Sequence, residues 1–507
     1  MRCPLDAGEV TPHGTILATK CCYLVLKAPY FNLIIAGFVV YGITAWYSAG
    51  YHHPDEHFQI LELANYKLGK TPAADLPWEF EARIRPGLQP GIAYVVVGVL
   101  RAMGVENPFH QAFALRLLSG WLMWGVFWAW ASQLGRSMAD NRLTAALLWS
   151  GLLLWFMPYL SVRFSSENWA ALTFLAGLLF IMQFIENKEN RVGWRLLTGG
   201  LLLGLSFFFR FQMAFALTGV AAWLLYHRHV RPADWAWLLL GGGVAVGLGV
   251  CADYWLYGHW EFTALQYFQA NILENKAANW GTAPWWFYLR EVVLSGLPPV
   301  SLLLVGLAVW GGWRHRQHVL VWVILPFVLA HLLVGHKELR FLFPMVLPWL
   351  VLAVLAWQPA RLRFGPRRWA RVLYGLAVGI NLLALPLRCL TPANEALPYF
   401  RYVYDRARQG PVTLLAVEKD PYNLVGLTAH FYQPDNLTVQ VLPTLEQLDS
   451  LDVPTGSLFL YSKLNLPATT TQPRMQRCYT YFPDWILAFN INDWQSRSRI
   501  WSIYQVQ

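Results

Sequence analysis

Apolar residues run along this chain in long blocks rather than at every third or fourth position. Eleven blocks read as candidate membrane spans: 29–49, 87–104, 110–134, 143–161, 165–186, 196–226, 235–257, 293–313, 319–335, 342–358 and 371–391. Blocks near the ~20 residues that cross a hydrocarbon layer as a helix predict a polytopic membrane protein. The block 196–226 is long enough for one helix or for a pair broken at Arg210. From about 392 onward the pattern changes. Apolar runs shorten to strand length at 411–417, 437–442 and 457–461, separated by helical stretches 421–432 and 444–451. The second of these opens with Thr444-Leu445-Glu446-Gln447, a capping-box pattern. Strands alternating with helices predict a small α/β domain over 392–507, after an all-α membrane domain over 1–391 with about 10 to 13 transmembrane helices.

Composition sharpens this. The 507 residues are 56% hydrophobic and 13% charged, and 27 are tryptophan, a residue that gathers at membrane–water interfaces. That excludes a disordered chain, a nucleic-acid binder built on basic helices and an ordinary cytosolic enzyme. The net charge of +10 sits in short loops at 227–231, 314–316 and 361–371, which the positive-inside rule makes cytoplasmic. Alternating crossings then put 258–292, 336–341 and everything after about 392 on the outer face, and an inside N-terminus puts 50–86 there too. The N-terminus, with Arg2, Lys20 and Lys27, is expected inside, and the first 27 residues carry no cleavage signal, so the first span reads as a retained anchor. One count stays open: splitting 196–226 gives five candidate crossings between the second span and loop 227, where parity requires an even number. The six cysteines show neither CxxC nor paired spacing, which suggests neither a zinc site nor a disulfide framework.

Where charge is scarce, its position is informative. His52-His53-Pro54-Asp55-Glu56-His57-Phe58-Gln59 follows the first span directly. Proline then acids at a helix start is ordinary dipole chemistry, and an interfacial helix over 54–68 accounts for the stretch. The alternative is a pair of carboxylates at the mouth of a membrane cavity, serving as general base or holding a polar substrate. The three histidines crowd around a helix start and lack the i, i+4 spacing of metal ligands. A second cluster, His336-Lys337-Glu338-Leu339-Arg340-Phe341, places four ionisable groups between apolar spans. Lysine and arginine together suit a phosphate, as point charge and bidentate fork. Arg163 and Arg210 interrupt apolar runs, and the loop after Asp253 carries Tyr257, Asn275 and Trp285, side chains able to stack on or hydrogen-bond to a sugar.

Four elements occur in order: Asp55-Glu56 after the first span, Asp253-x-x-x-Tyr257-Gly258, Gly281-Thr282-x-Pro284-Trp285, and His336-Lys337-Glu338-x-Arg340-Phe341. Together they resemble the integral-membrane mannosyltransferases of glycosyltransferase family 22, in the GT-C superfamily, over roughly 29–391. The resemblance is strongest to the enzymes of GPI-anchor and N-glycan assembly. It implies an inverting transfer of a sugar, mannose above all, from a polyprenyl- or dolichyl-phosphate donor to a glycolipid or lipid-linked oligosaccharide. By family position Asp55 is the base, with Glu56 as alternative or acceptor-positioning partner. His336, Lys337, Arg340 and Arg163 hold the donor phosphate. His57, Gln59, Arg85, Asp253, Tyr257, Asn275 and Trp285 contact substrate. No metal or other cofactor is implied, and the partners beyond substrates are membrane lipids. The short connections and arginine-rich loops suit a bacterial inner membrane as well as the endoplasmic reticulum, with the active site periplasmic or lumenal. A transporter or flippase of a lipid-linked anion is the competing class. Such proteins commonly show internal repeats, and none stands out here.

Overall fold

A computed structural model describes residues 28–187, 192–467 and 475–507. The N-terminal basic residues and Cys3, Cys21 and Cys22 lie outside the described residues. Among the described residues, six helices are long and apolar enough to cross a membrane: Tyr30–Tyr47, Pro108–Ser137, Ser166–Glu186, Asp234–Tyr257, Leu339–Phe364 and Arg368–Leu390. Shorter apolar helices lie between them at Leu88–Ala102, Gly193–Phe209, Met213–Tyr226, Val300–Arg314 and Val319–Leu333. The chain is a multi-pass membrane protein. Helices Gly193–Phe209 and Asp234–Tyr257 lie side by side because Gly200 abuts the Leu238 carbonyl and Gly241 abuts the Leu197 carbonyl. A Cβ at either glycine would sit 2.2 and 2.1 Å from those oxygens, the small-residue contact by which membrane helices pack.

The open question at 196–226 resolves into two helices. Arg210 takes extended backbone angles (φ −154°, ψ 111°) between Gly193–Phe209 and Met213–Tyr226. The block 143–161 also breaks, into Asn141–Leu153 and Met157–Ser161. After the first span, the stretch expected as one helix is α-helical at Pro54–Glu56, π-helical at His57–Leu61 and α-helical again at Glu62–Lys67.

The C-terminal part carries a five-stranded sheet in the order β2-β1-β3-β5-β4. Its strands are β1 Val412–Val417, β2 Leu437–Leu442, β3 Leu458–Tyr461, β4 Met475–Thr480 and β5 Ser502–Val506. β1 pairs parallel with β2 and β3, while β5 runs antiparallel to β3 and β4. The three expected strands are present, but the stretch 421–432 is not a helix. Pro421 opens it and Gly426 (φ +81°) turns it back, so it forms a loop closed by an Asn423–Thr428 bridge, ending in a short 3-10 turn at His430–Tyr432. Helix in 444–451 shrinks to Gln447–Ser450.

This part is bonded into the loop after the first span. The Phe431 backbone N–H donates to Glu62 Oε1 at 2.9 Å, His430 pairs with Asp75 at 2.7 Å, and the Tyr432 ring stacks on His57. Glu62, almost wholly buried, also accepts from the Thr71 hydroxyl and pairs with His57 at 2.8 Å.

Candidate active site

A cavity of about 1140 Å³ opens where these elements meet. Its walls come from the helix start at 53–60, the loop 77–90, the head of helix Ser166–Glu186, the break at Arg210, the turn after Thr263–Phe268 and segment 336–341. Phe207, Phe211 and Phe215 make one side apolar, while the opposite chemistry is concentrated charge.

Arg340 is the hub. It is buried, and Nη2 donates to Asp55 Oδ2 at 2.7 Å, Nε to Glu338 Oε2 at 2.6 Å and Nη1 to Glu167 Oε1 at 3.2 Å. Glu167 Oε1 also accepts from Arg210 Nη1 at 2.7 Å. Both guanidinium groups pack against Phe341, with their carbon atoms 5.3 Å (Arg340) and 4.8 Å (Arg210) from the ring centre. Local sequence explains the convergence. Ser165 caps helix Ser166–Glu186, setting Glu167 in its first turn at the positive end of the dipole. The chain break at Arg210 frees its side chain to meet Glu167.

His53 joins the cluster, 3.3 Å from Glu338 and 3.4 Å from Asp55. His336 links Glu338 Oε1 (2.9 Å) to the Gly281 carbonyl (2.9 Å), and Lys337 donates to the Ala283 carbonyl at 3.0 Å and to that of Val334. The Ala283 N–H donates back to the Gly335 carbonyl at 3.0 Å. The two motifs at 281–285 and 336–341 are thus one interlocked unit.

The neighbouring carboxyls behave differently. Burial is the largest influence on Asp55 and opposes ionisation, but Arg340, His53 and Arg85 outweigh it and hold this carboxyl well below the usual range. Glu338 is likewise brought down to about 2: burial pushes it up, and its bond to Arg340 and the charges of Arg340 and His53 pull harder. Glu56 goes the other way. Burial dominates, Arg163 only partly offsets it, and the carboxyl is pushed up to about 7.

Of the residues singled out in the sequence, the cavity brings together Asp55, Glu56, Gln59, Arg85, His336, Lys337 and Arg340. Gln59 and Arg85 both bond Glu79 Oε1, at 3.1 and 3.3 Å. The other six lie outside the cavity lining. Arg163 Nη1 and Nη2 donate to the carbonyls of Gly50 (3.0 Å) and Ser48 (2.6 Å), clamping the turn before His52. His57 is walled in by Glu62, Tyr51 and Tyr432. Asp253 accepts from the Gly87 N–H at 2.8 Å and the Thr263 hydroxyl at 2.7 Å, and Tyr257 donates to the Arg85 carbonyl at 2.8 Å. Together they fix the loop that aims Arg85 into the cavity. Asn275 and Trp285 are exposed. Glu167 and Glu79 line the cavity too, as do Arg210, His53 and Glu338, which the sequence marked only within clusters or as interruptions of apolar runs. Glu167 and Arg210 had a signal, charge interrupting an apolar run. The contribution of Val425, Gly426 and Leu427 from the C-terminal part had none.

The sequence profile of the Alg9-like mannosyltransferase family matches residues 33–405, which include Asp55, Glu56 and the whole 336–341 segment. The chain belongs to that family. Similar proteins include GPI mannosyltransferase 3 of Yarrowia lipolytica (26% identical over 340 residues, 63% of this chain and 62% of the relative). That of Gibberella zeae is 25% identical over 442 residues, 73% of this chain and 69% of the relative. GPI alpha-1,2-mannosyltransferase 3 of Mus musculus is 26% identical over 305 residues, 58% and 53% of the two chains. The chain therefore spans between 53% and 69% of these curated relatives. Among solved structures, ArnT from Cupriavidus metallidurans in the apo state is similar with a TM-score of 0.53 at 14% identity, covering 94% of this chain and 97% of that one. The form bound to undecaprenyl phosphate gives 0.51, with 94% and 98% covered. This Alg9-like family member thus shares the fold of ArnT.

Proposed function

We propose that this family member is an inverting mannosyltransferase using a polyprenyl- or dolichyl-phosphate-linked mannose and working at the outer, periplasmic or lumenal, face. The observation that carries the reading is Arg340. Its guanidinium is held at a cavity wall by three carboxylates, one of them on the helix start after the first span. A phosphodiester entering the cavity competes for that fork. Arg340 exchanges the Asp55 carboxylate for the phosphate, with Lys337 and His336 beside it. The exchange removes the cation that depresses Asp55, so its carboxylate becomes a stronger base when the donor is bound. The acceptor hydroxyl then attacks the anomeric carbon, its proton passes to Asp55, and the bond from carbon to phosphate oxygen breaks with its electron pair leaving on the lipid phosphate. Arg340 and Lys337 stabilise that developing charge. Glu56, pushed up to about 7 by burial, keeps a protonated fraction near neutral pH that donates a hydrogen bond to the acceptor and positions it. The apolar wall at Phe207, Phe211 and Phe215 suits the first isoprene units. ArnT, a solved neighbour of this fold, has been captured with undecaprenyl phosphate, a lipid phosphate of the class invoked.

The test is mannose transfer from a polyprenyl-phosphate-mannose by purified protein. The expected result is that Asp55→Asn loses activity on the order of a thousandfold, the scale of a lost general base together with its ground-state pairing. Full activity in Asp55→Asn with loss in Glu56→Gln would exchange the two roles. No transfer by the wild type would end the reading.

A further inference from the structure

The C-terminal part reaches the cavity through one short element. Loop 421–429 is stiff at its base: Tyr422 is buried and stacked face to face on Phe400, with ring centres 4.2 Å apart, and the Ala429 N–H donates to the Tyr422 carbonyl at 2.9 Å. The Leu424 N–H donates to the Leu427 carbonyl at 3.2 Å, closing a tight turn over Gly426. The tip is wholly apolar, and Val425 keeps 54% of its surface exposed, although it lines the cavity. A stiff loop that ends in an exposed valine over a charged cavity is not filling a core.

Its side of the cavity is defined by what holds it. Directly after the tip, His430 and Phe431 bond to Asp75 and Glu62 and the Tyr432 ring stacks on His57, all in the loop 50–86 that carries Asp55 and Glu56. Arg210 and Arg340 come from other elements of the wall. The tip is therefore registered to the segment that carries Asp55 and Glu56, where the acceptor hydroxyl must arrive. We infer that Val425-Gly426-Leu427 is an acceptor-contacting element: its apolar tip packs on the carbon face of the acceptor sugar or its adjoining lipid, and it selects which acceptor presents a hydroxyl to Asp55. This rests on the mannosyltransferase reading above and extends it to the second substrate. The tip is a specificity element and takes no part in bond making.

The experiment uses full-length protein in detergent with polyprenyl-phosphate-mannose as donor and n-octyl α-mannoside as acceptor probe, comparing wild type, Val425→Asp and Leu427→Ala. Val425 is exposed, so its substitution leaves the core intact. The expected result for Val425→Asp is an acceptor KM raised about tenfold or more while the donor KM stays within about twofold, and a smaller rise for Leu427→Ala. Acceptor and donor KM moving together, or an unchanged acceptor KM in both variants, overturns the tip's assignment while leaving mannosyl transfer standing. A wild type that neither transfers mannose nor hydrolyses the donor overturns the mannosyltransferase reading, and the tip's role with it.

Discussion

Arg163 and Arg340 are buried to nearly the same degree, with 1% and 8% of their surface exposed, yet they do opposite things. Arg163 spends its fork on backbone carbonyls of Ser48 and Gly50, groups that cannot move away without unravelling the turn. Arg340 spends its fork on three side-chain carboxylates at a cavity wall, each able to rotate aside. Buried charge is costly in either case. The difference lies in what the partners are: the carbonyls around Arg163 belong to the turn it clamps, whereas the anionic partners of Arg340 leave it open to another anion. The same contrast separates Asp253, locked by Gly87 and Thr263, from Asp55, held by a guanidinium.

The largest effect expected is the one that would break this comparison. Arg340→Ala removes the phosphate fork and should reduce kcat/KM on the order of a thousandfold, with Arg340→Lys intermediate because an ammonium keeps the charge and loses the fork. Arg163→Ala should instead leave buried carbonyls unpaired and cost ~3 kcal/mol of stability, seen as a lower unfolding temperature, while kcat/KM of the folded protein changes by no more than about threefold. If Arg163→Ala abolishes turnover without lowering the unfolding temperature, its place in the scaffold is wrong.

That contrast also explains what the sequence made legible. The helices announced themselves because uninterrupted apolar blocks have only one use in a chain with so few charges. The strands β1, β2 and β3 are legible from short β-branched and leucine runs; β4, with Gln476 and Arg477 both exposed, carries no such block. In the site, the residues that hold each other through side chains (Asp55, His336, Arg340) sit in dense local clusters of charge and were visible as such. Asp253, Tyr257, His57 and Arg163 have the same chemistry on paper. What assigns them to the scaffold is a set of partners far away in sequence, Gly87, the Arg85 carbonyl, Tyr432 and Gly50, which no local spacing encodes. The tip at Val425 is hidden for a similar reason, since three apolar or small residues in a loop acquire meaning only from the cavity beneath them.

The smallest effect concerns Glu56, which tests the comparison within one helical stretch. Glu62, further along it, is satisfied by Thr71, Phe431 and His57, whereas Glu56 faces the cavity and is pushed by burial from its ordinary 4.5 up to about 7. The sign follows from proton binding. Between those two values the folded protein holds a proton that the unfolded chain has released, so stability falls as pH rises through this window. The contribution is fully present below about pH 4.5 and lost above about 7, by at most ~3 kcal/mol. The unfolding temperature of the wild type should therefore decline between about pH 5 and 8, and Glu56→Gln, which cannot ionise, should flatten that decline and be the more stable protein at the upper end. An equal slope in both proteins would mean that Glu56 is as well satisfied as Glu62. It would then belong with Arg163 on the scaffold side of the comparison, not with Asp55 at the acceptor.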